Sequence, residues 1–480
     1  MQLPIVEHPP IVTKHSPEFA GIFQNRCQLK HFQNYLSGLI VLENKTMANI
    51  SRCILDSADK TNISRFFSEA EWADEQFNKD RVSYMLAQTQ EQRLGARKSE
   101  VPLDDTLCEH VGSLFEYVDR HYNHSDHSYP LAHNLVTSHY VSGAVRFPLD
   151  WRLYRRYEEC TQWSEFVQKH FPETELPKNK KERNRFKKKV EPTLLADLEF
   201  KELHDQFCTK ISLAVELVQA AVAHGVPFET VLFDSWYLAP ELTDVLAEYG
   251  KNWISLLKLN RNIETNNLVI MDESGQKVTF DGPKIKLQEL IPLIPASAFK
   301  AVKVGQQTYY CFSKNVRLPS LGKVRLVISF DNPDLTGTCA VLVTNHLTWS
   351  AKKIIETYLL RWPIETFYQD AKQQLGLNDY RMRSATAIQK HWCLVFAAYS
   401  FLHLDCLASS RRKNPLPIKT IGQVIRQQTQ SVIEALILHA HSLLNQNLDS
   451  RFVFDLLFAK QAYTMSSARS PTSDNCSKEN

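Results

Sequence analysis

The chain has 480 residues, of which 43% are hydrophobic and 23% charged, and its formal net charge is +3. This length allows two to four structural units, and the composition is that of an ordinary soluble protein. The nearly balanced charge does not by itself indicate a nucleic-acid partner, and no G-x-x-x-x-G-K-[ST] motif points to a nucleotide-binding P-loop. The N-terminus lacks the features of a signal peptide, and the longest apolar stretch, around Trp392–Leu404, is shorter than the ~20 residues that cross a bilayer. We therefore expect no membrane association. Because the spacing of the cysteines shows no disulfide framework, we also expect reduced thiols and a cytoplasmic location.

Residues 1–95 are predicted to be mostly helical. Apolar periodicity marks several segments, namely Leu36–Leu42, Thr46–Leu55, Asn62–Phe67 and Phe77–Ala87. Two short helices around a polar turn could form a DNA-binding helix-turn-helix, and a plain helical bundle fits the same pattern. The region is therefore helical, with DNA binding left open.

Residues 96–260 alternate between strand and helix patterns, which predicts an α/β fold. The predicted strands and helices are Val101–Leu103, Leu135–Val141, Val145–Leu153, His204–His224, Val231–Phe233, Pro240–Tyr249 and Trp253–Leu259. Ser142-Gly143 is a hairpin signal between two of the strands. Two acidic positions end short apolar strands: Asp104 with Asp105, and Asp234. An acid at a strand end lies at the edge of the sheet, where ligands bind in α/β folds.

The remaining chain changes character twice. Residues 261–345 contain short alternating runs punctuated by Gly and Pro, which predicts a β-rich insertion separate from the main sheet. Residues 346–405 return to a helical pattern and are expected to complete the α/β core. Residues 406–480 are predicted to form a helical C-terminal region that ends in a disordered, Ser-rich tail.

A basic run lies in the polar segment between the two acidic strand ends. Its cations include Lys180, Lys181, Arg183, Lys187 and Lys188. Such a run could follow a DNA backbone, with an affinity that falls steeply as salt rises. A solvated loop or exposed helix is the structural alternative.

Four tryptophans, Trp236, Trp253, Trp349 and Trp362, could each stack on a displaced nucleobase. Tryptophan is more often a core residue, because it buries a large apolar surface. We therefore expect these four side chains in the core.

The most specific pattern spans Tyr358–Lys372, with Tyr, two residues, Arg361, three residues, Glu365, six residues and Lys372. On a helix at ~100° per residue these four side chains fall within one stripe ~60° wide, and most of the remaining circumference is apolar. A surface stripe with an i, i+4 ion pair would explain only the Arg and the Glu. A buried carboxylate, by contrast, needs a cation or a metal. Pro363 predicts a kink near Trp362.

This spacing resembles the Y-R-E-K signature of a branch of bacterial insertion-sequence transposases in the DDE superfamily. The resemblance implies a ribonuclease-H-like mixed sheet flanked by helices. It also implies that Glu365 is the third catalytic carboxylate, and that Tyr358, Arg361 and Lys372 contact DNA phosphates near the cleaved end. In this family two aspartates precede the glutamate.

Asp234 is the candidate for the second of these aspartates, and Asp105 for the first. The resemblance favours Asp105 because Thr106 follows it, as is common in the family, while Asp104 remains the alternative. Asp105, Asp234 and Glu365 would hold two Mg²⁺ (or Mn²⁺) ions, one activating the attacking water and the other stabilising the leaving oxygen.

The resemblance thus implies a DNA transposase that cleaves the ends of an insertion sequence and joins them to target DNA, by a cut-and-paste route. Its partners would be transposon-end and target DNA, with a homodimer in the synaptic complex, near the bacterial nucleoid. A catalytically inactive DNA-binding regulator derived from a transposase is the main alternative. A junction resolvase is disfavoured, because the Y-R-E-K stripe and the long β-rich segment are not expected in one.

Overall fold

The computed structural model describes residues 3–57, 59–94, 99–123, 126–155, 161–177, 179–205, 207–266, 268–408 and 419–467. Numbered along the chain, the α-helices are α1 (Pro10–His15), α2 (Arg26–Val41), α3 (Met47–Cys53), α4 (Lys60–Ser68), α5 (Asp74–Gln88), α6 (Gln90–Leu94), α7 (Thr161–His170), α8 (Lys180–Leu194), α9 (Leu198–His204), α10 (Lys210–Ala223), α11 (Pro240–Glu248), α12 (Leu287–Leu290), α13 (Ala351–Tyr358), α14 (Pro363–Gln374), α15 (Ala385–Ala408), α16 (Ile421–Asn445) and α17 (Ser450–Ser467). The β-strands are β1 (Glu100–His110), β2 (Asp119–Arg120), β3 (Leu131–Ser142), β4 (Val145–Tyr154), β5 (Thr230–Phe233), β6 (Asn252–Leu256), β7 (Asn262–Glu264), β8 (Lys284–Lys286), β9 (Lys300–Val304), β10 (Gln307–Leu318), β11 (Gly322–Phe330) and β12 (Ala340–Thr344).

The chain divides into two compact units. One comprises Met1–Gln88 and Gln369–Asn480, and the other comprises Thr89–Tyr368. The first unit is helical, as predicted for residues 1–95 and for much of the C-terminal region, and aromatic side chains such as Phe19, Phe32 and Phe77 pack in its interior. The predicted disordered tail lies outside the described residues.

Helix α15 is the most buried helix of the first unit. It has 24 residues and is apolar and long enough to cross a membrane by length and composition alone, so the expectation that its apolar stretch is too short was wrong. Most of its side chains are buried inside the unit, however, as in the core helix of a soluble protein. The helix is therefore only weak evidence for a membrane span. It was expected to complete the α/β core, but it groups instead with the N-terminal helices.

The second unit is built on a mixed sheet of ten strands. Its path is β2-β3-β1-β5-β6-β12-β11-β10-β9, and β4 pairs with β3. Strands β1, β5 and β6 are parallel, whereas β3 and β4 run antiparallel as the predicted hairpin. An antiparallel β4-β3-β1 meander beside parallel β5 and β6, with helical connections, is the ribonuclease-H-like arrangement that the sequence led us to expect.

The region 261–345 is rich in strands, but it is not a sheet apart from the core. Strand β12 pairs with β6, and β11, β10 and β9 follow in antiparallel order, so these four strands extend the main sheet. Only β7 and β8 form a small separate ribbon among the described residues. The prediction of a separate insertion was wrong on this point, because strand pairing between distant segments cannot be read from local alternation.

Two helical segments cover or extend this sheet. Helix α13 packs its buried Ile354 and Ile355 against Leu232, Ile254 and Leu342 of the sheet. Between β4 and β5, helices α7, α8 and α9 have their own small core, made by Trp163, Val167, Val190, Leu194 and Phe200. The predicted helix His204–His224 is interrupted. Its main part is α10, which begins at Lys210 with Thr209 as N-cap.

Candidate active site

Asp104 and Asp105 lie inside β1, which runs on past both residues to His110. Neighbouring side chains on a strand point to opposite faces of the sheet. Asp104 is paired in register with Thr137, whose hydroxyl lies 2.6 Å from the Tyr368 hydroxyl on α14. Asp105 instead has its Oδ2 atom 2.6 Å from Nζ of Lys210, the first residue of α10. Asp104 therefore faces α14, and Asp105 faces α10.

Asp234 directly follows β5, as the sequence predicted. Parallel pairing places Pro102 opposite Leu232, so two residues further along Asp104 is level with Asp234. The backbone N–H of Trp236 donates a hydrogen bond of 2.8 Å to Asp234 Oδ1, which fixes the carboxylate in the turn after the strand. Burial raises the pKa of Asp234, and the negative charge of Asp105 adds to this increase.

Glu365 lies in the first turn of α14, directly after the predicted break in the helix. Helix α13 ends at Tyr358, a 3₁₀ turn spans Leu359–Arg361, and α14 starts at Pro363. Proline is favoured at the first position of a helix because its missing N–H would have no partner there, so the predicted kink is confirmed as a new helix start.

Arg361 connects the glutamate to the first strand. One guanidinium nitrogen, Nη2, lies 3.1 Å from Glu365 Oε1, and the other, Nη1, hydrogen-bonds to Asp104 Oδ2. The Arg361 side chain is mostly buried, as is that of Asp104. A single guanidinium thus bridges the carboxylate of β1 and that of α14.

These four acids, Asp104, Asp105, Asp234 and Glu365, are called the acidic cluster below. Burial raises the pKa of Asp104 to about 7, and the negative charges of Asp105 and Glu365 contribute, while the Arg361 guanidinium acts in the opposite direction. One nearby cation therefore does not offset the desolvation and the accumulated negative charge. An additional cation at the cluster would be favourable.

Tyr358 contributes a buried hydroxyl beside this cluster. Its hydroxyl oxygen is buried and makes no hydrogen bond of normal geometry to the residues that the structure describes. Burial raises the pKa of the Tyr358 hydroxyl to about 12, the Arg361 guanidinium acts in the opposite direction, and the charges of Asp234 and Asp104 add to the increase, so the hydroxyl is neutral at physiological pH. A buried hydroxyl beside carboxylates, with no hydrogen bond of good geometry, could also bind a polar ligand or an ordered water.

Comparison with known families shows to which family the chain belongs. A family model described as DDE superfamily endonuclease matches residues 18–287, more than half of the chain. The chain belongs to this family. The match includes Asp104, Asp105 and Asp234 but ends before Glu365, so it does not reach the Y-R-E-K pattern. A comparison with curated proteins found no match.

DDE superfamily endonucleases use divalent metals, and the chemistry of the acidic cluster fits such an ion. Carboxylate oxygens are the ligands that Mg²⁺ and Mn²⁺ prefer, and the raised pKa of Asp104 indicates a site that would gain from a cation. Within the described ranges, no three Asp, Glu, His or Cys side chains are already close enough to enclose a metal. Arg361 lies between Asp104 and Glu365, so the endonuclease would have to move this guanidinium aside to bind a metal there.

The expected DNA contacts fall in two places in this endonuclease. Lys372 lies two helical turns beyond Glu365 on α14 and is partly exposed. The basic run forms α8, where Arg183 is partly buried over the Trp163 ring and Lys187 is partly exposed. Lys188 is exposed, as are two further cations that the run supplies, Arg185 and Lys189. Lys180 and Lys181 begin α8, but their side chains lie outside the described part of the chain.

Two tryptophans flank the acidic cluster in sequence, and both are exposed. Trp236 follows Asp234 by two residues and is 57% exposed, and Trp362 precedes Glu365 by three residues and is 68% exposed. The Nζ atom of Lys258 lies 4.1 Å from the centroid of the Trp236 ring. The expectation that these tryptophans lie in the core was wrong for both, because each falls in a turn where a helix or strand has ended. It was correct for Trp253, which is buried.

Sequence reasoning missed two partners of Asp105. Besides Lys210, the hydroxyl of Tyr237 donates a hydrogen bond of 2.9 Å to Asp105 Oδ1. Neither residue belongs to a recognisable motif, and both reach Asp105 from distant segments. Only the three-dimensional pairing of β1 with its neighbours could have identified them.

Proposed function

We propose that this protein is a DNA transposase that cleaves the ends of an insertion sequence and transfers them to target DNA by a cut-and-paste route. Membership of the DDE endonuclease family supports a DNA substrate and nuclease chemistry. The Y-R-E-K spacing supports the insertion-sequence branch. The observation on which the proposal depends most is the Arg361 bridge between Asp104 and Glu365, level with the strand-end Asp234.

We propose Asp104, Asp234 and Glu365 as the catalytic carboxylates. Asp104 replaces Asp105, the residue first expected in this role, because Asp104 faces the helix of Glu365 and shares the Arg361 guanidinium with it. Asp105 faces α10 and has both carboxylate oxygens in contact with other side chains. Two Mg²⁺ or Mn²⁺ ions bound by the three carboxylates would supply the activated water and the charge stabilisation of the leaving oxygen.

The surrounding residues would bind and orient the DNA. Arg361, when it is displaced from the carboxylates, offers a planar pair of donors that fits phosphate oxygens, and Lys372 offers a point charge. The neutral Tyr358 hydroxyl can donate to a phosphate oxygen without bringing another charge. The exposed cations of α8 would follow the DNA backbone away from the cleaved end. A homodimer would hold two ends together in the synaptic complex, in a bacterial cytoplasm.

The test is cleavage of a duplex carrying the inverted repeats that flank the gene, in Mg²⁺, by the wild type and by Asp104→Asn, Asp234→Asn and Glu365→Gln. Each substitution removes a charged ligand with almost no change in volume. We expect each to abolish cleavage while end binding persists. If the wild type binds these ends but never nicks them in Mg²⁺ or Mn²⁺, the protein is instead a DNA-binding regulator derived from a transposase.

A further inference from the structure

Asp105 is held by two side chains from distant segments of the chain, one at the start of α10 and one in the turn after β5. Its Oδ2 atom lies 2.6 Å from Nζ of Lys210, and its Oδ1 atom accepts a hydrogen bond of 2.9 Å from the Tyr237 hydroxyl. Both carboxylate oxygens of Asp105 are thus held by side chains, whereas Asp104 is held by one side chain, Arg361, and by the backbone N–H of Asp105.

We propose that Asp105 is a positioning residue, which through Tyr237 fixes the turn that carries Asp234 and so sets the distance between Asp104 and Asp234. This inference rests on the proposed function, because it assumes that Asp104 and Asp234 are metal ligands. Asp105 itself would bind no metal.

The turn after β5 transmits this restraint. The backbone N–H of Tyr237 bonds to the Asp234 carbonyl, and the N–H of Trp236 bonds to the Asp234 carboxylate, so Asp234–Tyr237 forms one tight turn. Tyr237 is only 1% exposed, so its ring is anchored, and its hydroxyl links the turn to β1 one residue beyond Asp104. A shift of the Tyr237 hydroxyl would therefore move the Asp234 carboxylate relative to Asp104.

Lys210 holds the other side of Asp105. It is the first residue of α10, where the positive end of the helix dipole disfavours a cation. The ion pair with Asp105 offsets this unfavourable position and attaches the start of α10 to β1. A lysine at this helix start is explained if Lys210 keeps the Asp105 side chain in one rotamer, with Oδ1 directed towards Tyr237.

The first experiment compares two tyrosine variants. Tyr237→Phe removes only the hydroxyl that reaches Asp105. Tyr140→Phe is the matched control, because Tyr140 is also fully buried in the same unit and its hydroxyl donates a hydrogen bond of 2.9 Å to Ser99. For each variant we would measure the single-turnover cleavage rate on pre-bound end DNA as a function of Mg²⁺, together with end affinity and thermal melting.

We expect Tyr237→Phe to lower the maximal cleavage rate by roughly ten- to a hundredfold, since a misplacement of about 1 Å can have an effect of that size. It should also raise the Mg²⁺ concentration needed for half the maximal rate, with end affinity unchanged. Tyr140→Phe should leave the rate and the Mg²⁺ dependence as in the wild type, even if its melting temperature falls as far. A Tyr237→Phe variant that matches Tyr140→Phe in rate and Mg²⁺ dependence would overturn the proposal.

The second experiment separates positioning from metal binding. If Asp105 acts through Tyr237, Asp105→Asn should retain measurable cleavage, and the double variant with Tyr237→Phe should be no slower than the slower single variant. Complete loss of cleavage in a folded Asp105→Asn protein would make Asp105 a ligand and refute the inference. Cleavage at the wild-type rate by Asp104→Asn would refute the proposed catalytic carboxylates instead, so the two failures are distinguishable.

Discussion

Asp104 should make metal binding depend on pH near neutrality. Burial and the adjacent carboxylates raise its pKa to about 7, from an ordinary value of 3.8. With that pKa the carboxyl is ~90% ionised at pH 8 and only ~10% ionised at pH 6. Because a metal binds the ionised carboxylate, Mg²⁺ must compete with a proton at the lower pH. We therefore expect the apparent Mg²⁺ affinity to be about tenfold weaker at pH 6 than at pH 8.

The assay is thermal melting across a Mg²⁺ series at the two pH values, with the metal-induced shift measured against the metal-free protein at the same pH. The metal-free reference is needed because Asp104 also affects the stability of the metal-free protein. The pKa of Asp104 is higher in the folded than in the unfolded protein, so the contribution of Asp104 to folding stability falls as the pH rises from about 4 to about 7. In Asp104→Asn the metal-induced shift should largely disappear at both pH values. An identical Mg²⁺ dependence at pH 6 and pH 8 in the wild type would refute the reasoning.

Three further predictions concern DNA. Asp234→Asn should abolish cleavage of an end-containing duplex in Mg²⁺ while a gel-shift assay still detects end binding, and cleavage at the wild-type rate would show that Asp234 is not a ligand. Arg361→Ala should weaken end binding and lower the slope of log affinity against log salt by ~0.9, because one phosphate contact is lost. It should also lower the melting temperature, because buried Asp104 loses its cation. An unchanged salt slope would make Arg361 purely structural. The double variant Lys188→Ala, Lys189→Ala should lower the same salt slope by up to ~1.8, and its melting temperature should not change, because both side chains are exposed on α8. A salt slope equal to that of the wild type would exclude α8 from the DNA interface.

Much of the site could be predicted from local sequence. Asp234 was expected at a strand end, because three apolar residues precede it, and β5 ends at Phe233. The break before Pro363 was expected from the chemistry of proline, and α14 begins there. These features depend on a few neighbouring residues, so the sequence contains all the information needed to predict them.

The choice between Asp104 and Asp105 could not be made in the same way. The short apolar run before them suggested a strand that ends there, but β1 continues to His110 because it pairs with β3 from Leu103 to His110. Which aspartate faces α14 is decided by that register and by the position of Arg361. The extension of the sheet by β12 likewise depends on pairing between residues about ninety positions apart. Contacts of this kind leave no local pattern in one sequence.

The most direct test of the central claim is the position of bound metal in crystals of the protein grown with Mn²⁺, located by anomalous diffraction. The proposal predicts a Mn²⁺ peak with carboxylate oxygens of Asp104 and Asp234 at roughly 2.0–2.2 Å, with Glu365 on the same or a second ion, and Arg361 moved away from between the carboxylates. Asp105 should still contact Lys210 and Tyr237. A Mn²⁺ ion bound by Asp105 instead of Asp104, or no peak at the acidic cluster at a concentration that supports cleavage, would contradict the account.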